Sequence, residues 1–519
     1  MLSPVRGLVA LALAACASAV LAAPPTLHDS KGTFPLDPSS QHVPLAAEQA
    51  DLRPPPPRVP PLFELFVGLS VFRDGERCAK TVFTGLSRAK HPSRIHFGIV
   101  DQVNPGDAKC IDEYCKLAQA AWPDAQYGGC RYREQLRVDE RLADDSRGPT
   151  LARHHQQKLL RDEEFCLQLD GHSIFTNGWD EHLVADWRQA NNEMAVLSTY
   201  LHDLHSYVQP NGDNAPPSLL PHLCTTIRGG HGNVRNEGAS MISDSTTPQL
   251  TALWGAGLSF SKCHAERRVR VDPHTLWMFD GEEFLRASHL WTHGYDLYSP
   301  SPLGTVVYHN YSRVPARFEN VRVDEAKKAI ETEMGANRFK LIVGVPFKGA
   351  VDALEMEEYA FGRVRSFQQY LEFSGVTFED GKQDKHSCRQ LHWVPYSDPR
   401  DVEQLVGGGW RMRSSSVAPT PTLKPLLKPV PTVDAGNAHV EAQAHGADTG
   451  AGGADHGAEK EHAARGARLA QGLPRPRLPT NAGWGVVLYV SLFAAVAWIA
   501  FAKSDRQPPR VVTGHDLSA

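Results

Sequence analysis

The sequence predicts an α/β fold, a sandwich of helices around a largely parallel sheet. Three observations predict it. Apolar runs of strand length alternate with segments of helical periodicity. The 519 residues, 41% hydrophobic and 22% charged, suffice for a large buried core. One apolar run, FCLQL, ends abruptly in Asp170-Gly171-His172, and sheets of this class bind ligands beyond the carboxyl ends of their strands.

Taken in order, residues 1–23 carry Arg6, a short apolar core and small residues up to Ala22 and Ala23, the pattern of a signal peptide. Residues 24–61 include PPPPRVPP and read as a stiff, extended stem. LFELFVGLSVF (62–72) is a buried strand. Asp74 then caps a helix on which Cys78, Val82 and Leu86 share one face. RIHFGIVDQV (94–103) is a second strand. LARHHQQKLL (151–160) is a helix leading into the strand EFCLQLD. DEAKKAIETEMG (324–335) is a polar helix, followed by an expected strand FKLIVGVPF (339–347). RSFQQYLEFSG (365–375) is a closing helix ended by Gly375. The folded domain is thereby placed at 62–412.

Residues 413–482, rich in Ala, Gly, His and Pro, read as a low-complexity tether. WGVVLYVSLFAAVAWIAFA (484–502) carries no charge. About 19 residues at 1.5 Å each span roughly 28 Å, close to a bilayer core. Lys503, Arg506 and Arg510 follow and favour a cytoplasmic tail over 503–519. Signal and span together predict a type I single-pass protein with its domain in the lumen of the secretory pathway. Eight cysteines remain after signal removal, an even number that permits disulfides in an oxidising compartment without revealing their pairing. No CxxC pair suggests a cysteine zinc site. The net charge of −5, with acids and bases mixed along the chain, gives no reason to expect nucleic acid as a partner.

Asp170 and His172, one residue apart just past a strand, can turn toward one point, with Gly171 letting the backbone bend. Mixed oxygen and nitrogen ligation suits Mn²⁺ or another divalent cation, and such ions bridge phosphates. A surface turn with a capping Asp fits the same short pattern.

The wider sequence resembles a known family. The blocks LFVGLSVFRDGERCAKTVFTGLSRAKHPSRIHFGIVDQ, SRGPTLARHHQQKLLRDEEFCLQLDGHSIFTNGWD, WGAGLSFSKC, DPHTLWMFDGEEFLRASHLWTHGYDLYSPSP and VVYHNYSR occur in this order. Over roughly residues 62–395 they resemble the polypeptide N-acetylglucosaminyltransferases, a glycosyltransferase family 60-like group that includes the Skp-type hydroxyproline transferases and mucin-type protozoan enzymes. The resemblance implies a GT-A-like nucleotide-diphospho-sugar transferase fold, a UDP-sugar donor, a divalent cation, a protein or glycoprotein acceptor, retention at the anomeric carbon and, with the topology above, a Golgi location. By position it implies Asp170, His172 and His309 as metal ligands, with Asp170 also facing the donor. Arg73, Asp74, Arg153, Gly255 and Gly257 would contact the donor. Of Asp280, Glu282 and Glu283 in FDGEEF, at least one would take a catalytic-site role, binding acceptor or sugar hydroxyls or stabilising positive charge near the anomeric carbon. Trp291 and Tyr295 fit either an acceptor platform or the core, and Trp179-Asp180 would support the metal loop. The chain departs from its relatives in having Gly171 where Ser is frequent and His293 where Arg is common. Its sequon, Asn310-Tyr311-Ser312, adjoins His309, so poor glycan occupancy is expected. Two further readings remain open: a non-catalytic lumenal carbohydrate-binding scaffold, and a metal-dependent hydrolase.

Overall fold

The computed structural model describes residues 23–123, 129–312 and 315–413. Apart from Ala23 and Arg413, the expected signal peptide, tether, membrane span and tail lie outside them. Among the described residues no helix is long and apolar enough to cross a membrane.

The centre is an eight-stranded sheet. Its strands are β1 (Leu65–Phe72), β2 (Ile95–Val103), β3 (Leu136–Leu142), β4 (Phe165–Asp170), β6 (Ala195–Thr199), β7 (Gln249–Thr251), β8 (Leu258–Lys262) and β9 (Asp296–Ser299). Two short strands, β5 (Ser173–Phe175) and β10 (Val307–His309), pair antiparallel outside it. The spatial order is β7-β9-β6-β8-β4-β1-β2-β3. The pairs β1–β2, β1–β4, β2–β3 and β6–β9 are parallel. β8 is inserted antiparallel between β4 and β6, and β7 is antiparallel to β9. The sheet is therefore mixed. β4 and β6, both antiparallel to β8, run the same way and end at the same edge.

Alternation along β1 sorts its side chains. Leu65, Val67, Leu69 and Val71 enter one core with α1 (Gly75–Ser87), α2 (Cys110–Ala121) and α4 (Trp179–Gln189). On α1, Cys78, Val82 and Leu86 are all buried, as their i, i+4 spacing requires. On the opposite face, Gly68 leaves room for Gln156 of α3 (Pro149–Gln157): a Cβ there would meet the Gln156 amide at 1.8 Å. A second core gathers around α5 (Glu282–Thr292), α6 (Glu325–Val343) and α7 (Phe367–Ser374). Ser366 and Gln369 form a capping box at the start of α7, and Gly375, at φ 76°, ends it.

Three expectations are corrected. The strand expected over 339–347 is instead the last turns of α6, which runs unbroken to Val343 and stops at Gly344, φ 76°. Phe339 and Val343, four apart, share the buried face that the apolar run concealed. The segment 24–61 is no free stem. Thr26–Asp29 pairs with Ser240–Ser243 and with Gly32–Pro35. Leu27, Leu36 and Leu52 are buried, and the Pro55 carbonyl accepts from the Glu193 amide at 2.8 Å. An extended, proline-rich segment still offers carbonyls and alternate side chains to a neighbouring edge. Finally, Asp74 starts α1 without capping it: its carboxylate turns to Arg77 instead.

The eight cysteines form Cys78–Cys110, Cys115–Cys130, Cys166–Cys263 and Cys224–Cys388.

Candidate metal centre and adjoining pocket

β4 is buried along its whole length and delivers Asp170 as its last residue, opposite Ser70 of β1. The chain then turns tightly. A Cβ on Gly171 would lie 2.8 Å from Val71 Cγ2, so the neighbouring strand favours glycine there. The Thr81 hydroxyl of α1 accepts from the Ser173 amide and lies within hydrogen-bond distance of the Gly171 and Ser173 carbonyls. β5 then pairs with β10, setting Ser173 opposite His309. The His309 amide donates to the His202 carbonyl, and the Asn310 amide donates to the His172 carbonyl. Four separate elements thus bring together residues more than a hundred positions apart.

One ligand atom from each of Asp170, His172 and His309 lies within 4.8 Å of the others, and all three residues are buried. His309 Nε2 is 3.4 Å from Asp170 Oδ2, and the two imidazole centroids are 4.5 Å apart. Neither ring nitrogen of His309 makes a hydrogen bond. Burial would raise the Asp170 pKa, but His309, His172 and Arg153 hold it below the ordinary value. Burial, reinforced by His309, holds His172 well below its own. A carboxylate, a neutral imidazole and a second imidazole with unsatisfied buried nitrogens are the donor set a divalent cation needs. The residues fit the expected ion.

Arg153, projecting from α3, is buried with Nη2 3.9 Å from Asp170 Oδ1 and Nη1 hydrogen-bonded to Glu282. Together they line an open pocket of about 570 Å³ beside Asp170. The three FDGEEF acids all line this pocket but face different partners. Asp280 accepts from the Gly230 amide at 2.5 Å and lies 3.5 Å from Arg235. Glu283 accepts from the Tyr200 hydroxyl at 2.6 Å and the Ala256 amide at 2.9 Å, and burial raises its pKa. Glu282 is tied to Arg153. Asp74 lies on the other side, in a recess of about 230 Å³ shared with His172, whose Nδ1 is 3.5 Å from Asp74 Oδ2.

Other expected residues are placed elsewhere. Arg73 lines neither the pocket nor the recess; its guanidinium is bound bidentately to Asp107 at 2.7 and 2.9 Å. Gly255 packs where a Cβ would meet Leu223 at 2.7 Å, and Gly257 backs onto the Thr199 carbonyl. Ala256 between them reaches the pocket. Trp291 and Tyr295 are buried core residues, Trp291 beneath the Arg365 guanidinium at 4.5 Å. Trp179 donates to the Gly85 carbonyl and packs on Phe175 of β5, and Asp180 accepts from the Lys90 and His91 amides, so the pair ties the start of α4 to β5 and to the end of α1.

Tyr200, Arg235 and Asn236 also line the pocket and were not anticipated. Tyr200 had a usable signal: it directly follows the apolar run AVLST, now β6, as Asp170 closes β4. Arg235 and Asn236 lie on a short hairpin strand, Val234–Asn236, too brief to show periodicity.

The family model described as "Glycosyltransferase (GlcNAc)" matches residues 64–126 and 112–380, more than half of the chain. No curated protein matches. Among solved structures, the chain is similar to GalNAc-T7 with UDP, GalNAc and Mn²⁺ at 13% identity and TM-score 0.38, covering 60% of this chain and 57% of that one. It is also similar to Staphylococcus aureus TarS 1–349 with UDP-GlcNAc, at 13% and 0.30, covering 57% and 78%. A third is the mannosyltransferase PcManGT of Pyrobaculum calidifontis with GDP-Man and Mn²⁺, at 12% and 0.29, covering 56% and 67%. Likeness this distant carries no argument about function. The family model, matched over more than half of the chain, shows the family: this chain belongs to the glycosyltransferase (GlcNAc) family.

Proposed function

We propose that the protein is a metal-dependent transferase on a GT-A-like scaffold. It moves N-acetylglucosamine from UDP-GlcNAc to a Thr, Ser or hydroxyproline hydroxyl of a protein acceptor, with retention. The observation that carries this reading is the buried Asp170–His172–His309 set, whose Asp170 lines the acid-lined pocket beside Arg153. In the reading, Asp170, His172 and His309 hold Mn²⁺ or a related ion, which when bound offsets diphosphate charge as UDP leaves. Arg153 supplies a planar pair of donors for the diphosphate, released from Glu282 as the donor binds. Glu282, then freed, faces the sugar. Glu283, raised in pKa and using both oxygens within the protein, positions Tyr200 and the Ala256 backbone. Asp74 and its recess take the nucleoside side of the donor.

The full pairing of eight cysteines supports a secretory-pathway lumen. A type I membrane anchor and a Golgi location belong to the same proposal.

The test uses the purified full chain with a panel of UDP-sugars, Mn²⁺ or chelator, and peptides bearing Thr, Ser or hydroxyproline. Peptide mass gain and free UDP are read together. Mn²⁺-dependent gain of one N-acetylhexosamine from UDP-GlcNAc, lost in Asp170→Ala/His172→Ala, is the expected result. No turnover with any donor by a folded protein would replace this reading with the carbohydrate-binding scaffold. UDP release without peptide gain would point to hydrolysis.

A further inference from the structure

His309 is carried by β10, a strand of three residues whose ladder partner β5 is equally short. Two strands of that length supply little rigidity by themselves. The anchor lies just upstream. Asp186, a fully buried residue of α4, accepts from the Ser301 hydroxyl at Oδ1 (2.5 Å) and from the Ser301 amide at Oδ2 (3.0 Å). The Ser301 carbonyl then accepts from the Gly304 and Thr305 amides at 3.1 and 3.0 Å and from the Thr305 hydroxyl at 2.9 Å. Gly304 is pressed against the carboxylate: a Cβ there would sit 2.1 Å from Asp186 Oδ2. The next carbonyls are fastened too, Thr305 by the Asn214 amide and Val306 by Thr176. β10 begins at the following residue.

Burial raises the Asp186 pKa to about 7, opposed only by the two Ser301 hydrogen bonds. A carboxylate buried without a cation is costly, and well-packed apolar side chains commonly serve stability as well or better. Its two oxygens instead match two donors of one residue and fix that residue in position and orientation.

We propose that Asp186 is a positioning residue for His309: by clamping Ser301 it sets the turn 301–305 and so places the imidazole beside Asp170 and His172. The inference rests on the reading of that trio as a metal site.

Mn²⁺ alone is the probe. Binding to the purified full chain is followed through the paramagnetic resonance of the free ion at about pH 8, where the Asp186 carboxylate is charged. Wild type, Asp186→Ala and Ser301→Ala are compared, with thermal unfolding of each metal-free protein. Wild type binds one Mn²⁺ per chain and shows nitrogen couplings from two imidazoles. Both variants, folded, bind at least about 10-fold more weakly, equivalent to roughly 1.4 kcal/mol, and one imidazole coupling weakens or disappears. General loss of stability would not remove one nitrogen coupling selectively. If Asp186→Ala does not fold, Ser301→Ala, which keeps the carboxylate and removes one donor, decides. Variants that bind with wild-type affinity and both couplings overturn the positioning role and leave the metal site standing. Failure of the wild type to bind Mn²⁺ overturns both.

Discussion

Glu282 and Glu283 are adjacent in sequence and opposite in expected role, and the difference comes from their partners alone. Glu283 is held by Tyr200 and Ala256, with its pKa raised by burial. Its neutral amide counterpart can keep both contacts, because a tyrosine hydroxyl both donates and accepts. Glu282 faces a guanidinium, so its amide counterpart loses a charge interaction. Turnover of Glu282→Gln is therefore expected to fall about 10²-fold or more, while Glu283→Gln loses far less. Equal losses in kcat would show that the partner assignment does not set their roles. Asp186 gives a second test at this scale. Its pKa rises from 3.8 to about 7 on burial, so the folded chain keeps a proton that the unfolded chain releases at lower pH. The stability this proton contributes is complete below the ordinary aspartate value and is lost as pH rises through about 7. Thermal unfolding at about pH 5 and pH 8 should show wild type losing stability relative to Asp186→Asn as pH rises; a pH-independent difference would contradict the assignment. Asp170 and His172 were legible in the sequence because an apolar run stopped on them. Asp186 was not, since its role depends on Ser301, 115 positions away.

At the scale of elements, α6 shows why a short apolar run misleads. FKLIV has the composition of a strand, and periodicity cannot decide over five residues. The helix was already nucleated by Asp324, whose side chain accepts from the Lys327 amide, and extension costs less than a new start. Gly335, which would mark a break by propensity, instead lets the helix touch the chain before α5: a Cβ there would lie 2.4 Å from the Leu276 carbonyl oxygen. Alanine ordinarily gains up to about 1 kcal/mol over glycine inside a helix. At Gly335 the backbone clash should reverse that sign, and Gly335→Ala should destabilise the protein by roughly 1–3 kcal/mol. Urea unfolding would show it, and a stabilised variant would mean that α6 can move away from Leu276 freely. The strands β1, β2 and β4 were readable because each is long and apolar. β5, β7 and β10, of three residues each, carry too few positions for any pattern, although β10 bears His309 of the candidate metal cluster.

The whole molecule depends on contacts that no local pattern announces. Cys224–Cys388 closes a separation of 164 residues. It fastens the segment around Asp384, which accepts from Thr226 and Arg228, to the hairpin that presents Arg235 and Asn236 to the pocket. The N-terminal segment contributes to the same region: Leu27 and Leu36 pack with Ile242 around this disulfide. Composition alone made residues 24–61 a stem, because proline density reports stiffness and says nothing of what a stiff segment rests on. Removing them would uncover the edge formed by Ser240–Ser243 and lose three buried leucines, Leu27, Leu36 and Leu52. At about 1.5–3 kcal/mol for each buried leucine, the loss is on the order of 5 kcal/mol. That is comparable with the whole stability of many domains, about 5–15 kcal/mol. A chain beginning at residue 62 is therefore expected to aggregate, or to melt far below one that keeps residues 24–61. Thermal unfolding and soluble yield of the two, measured with the disulfides intact, check it. Equal melting temperatures would show that the segment rests on the domain without stabilising it, and the domain boundary would return to residue 62.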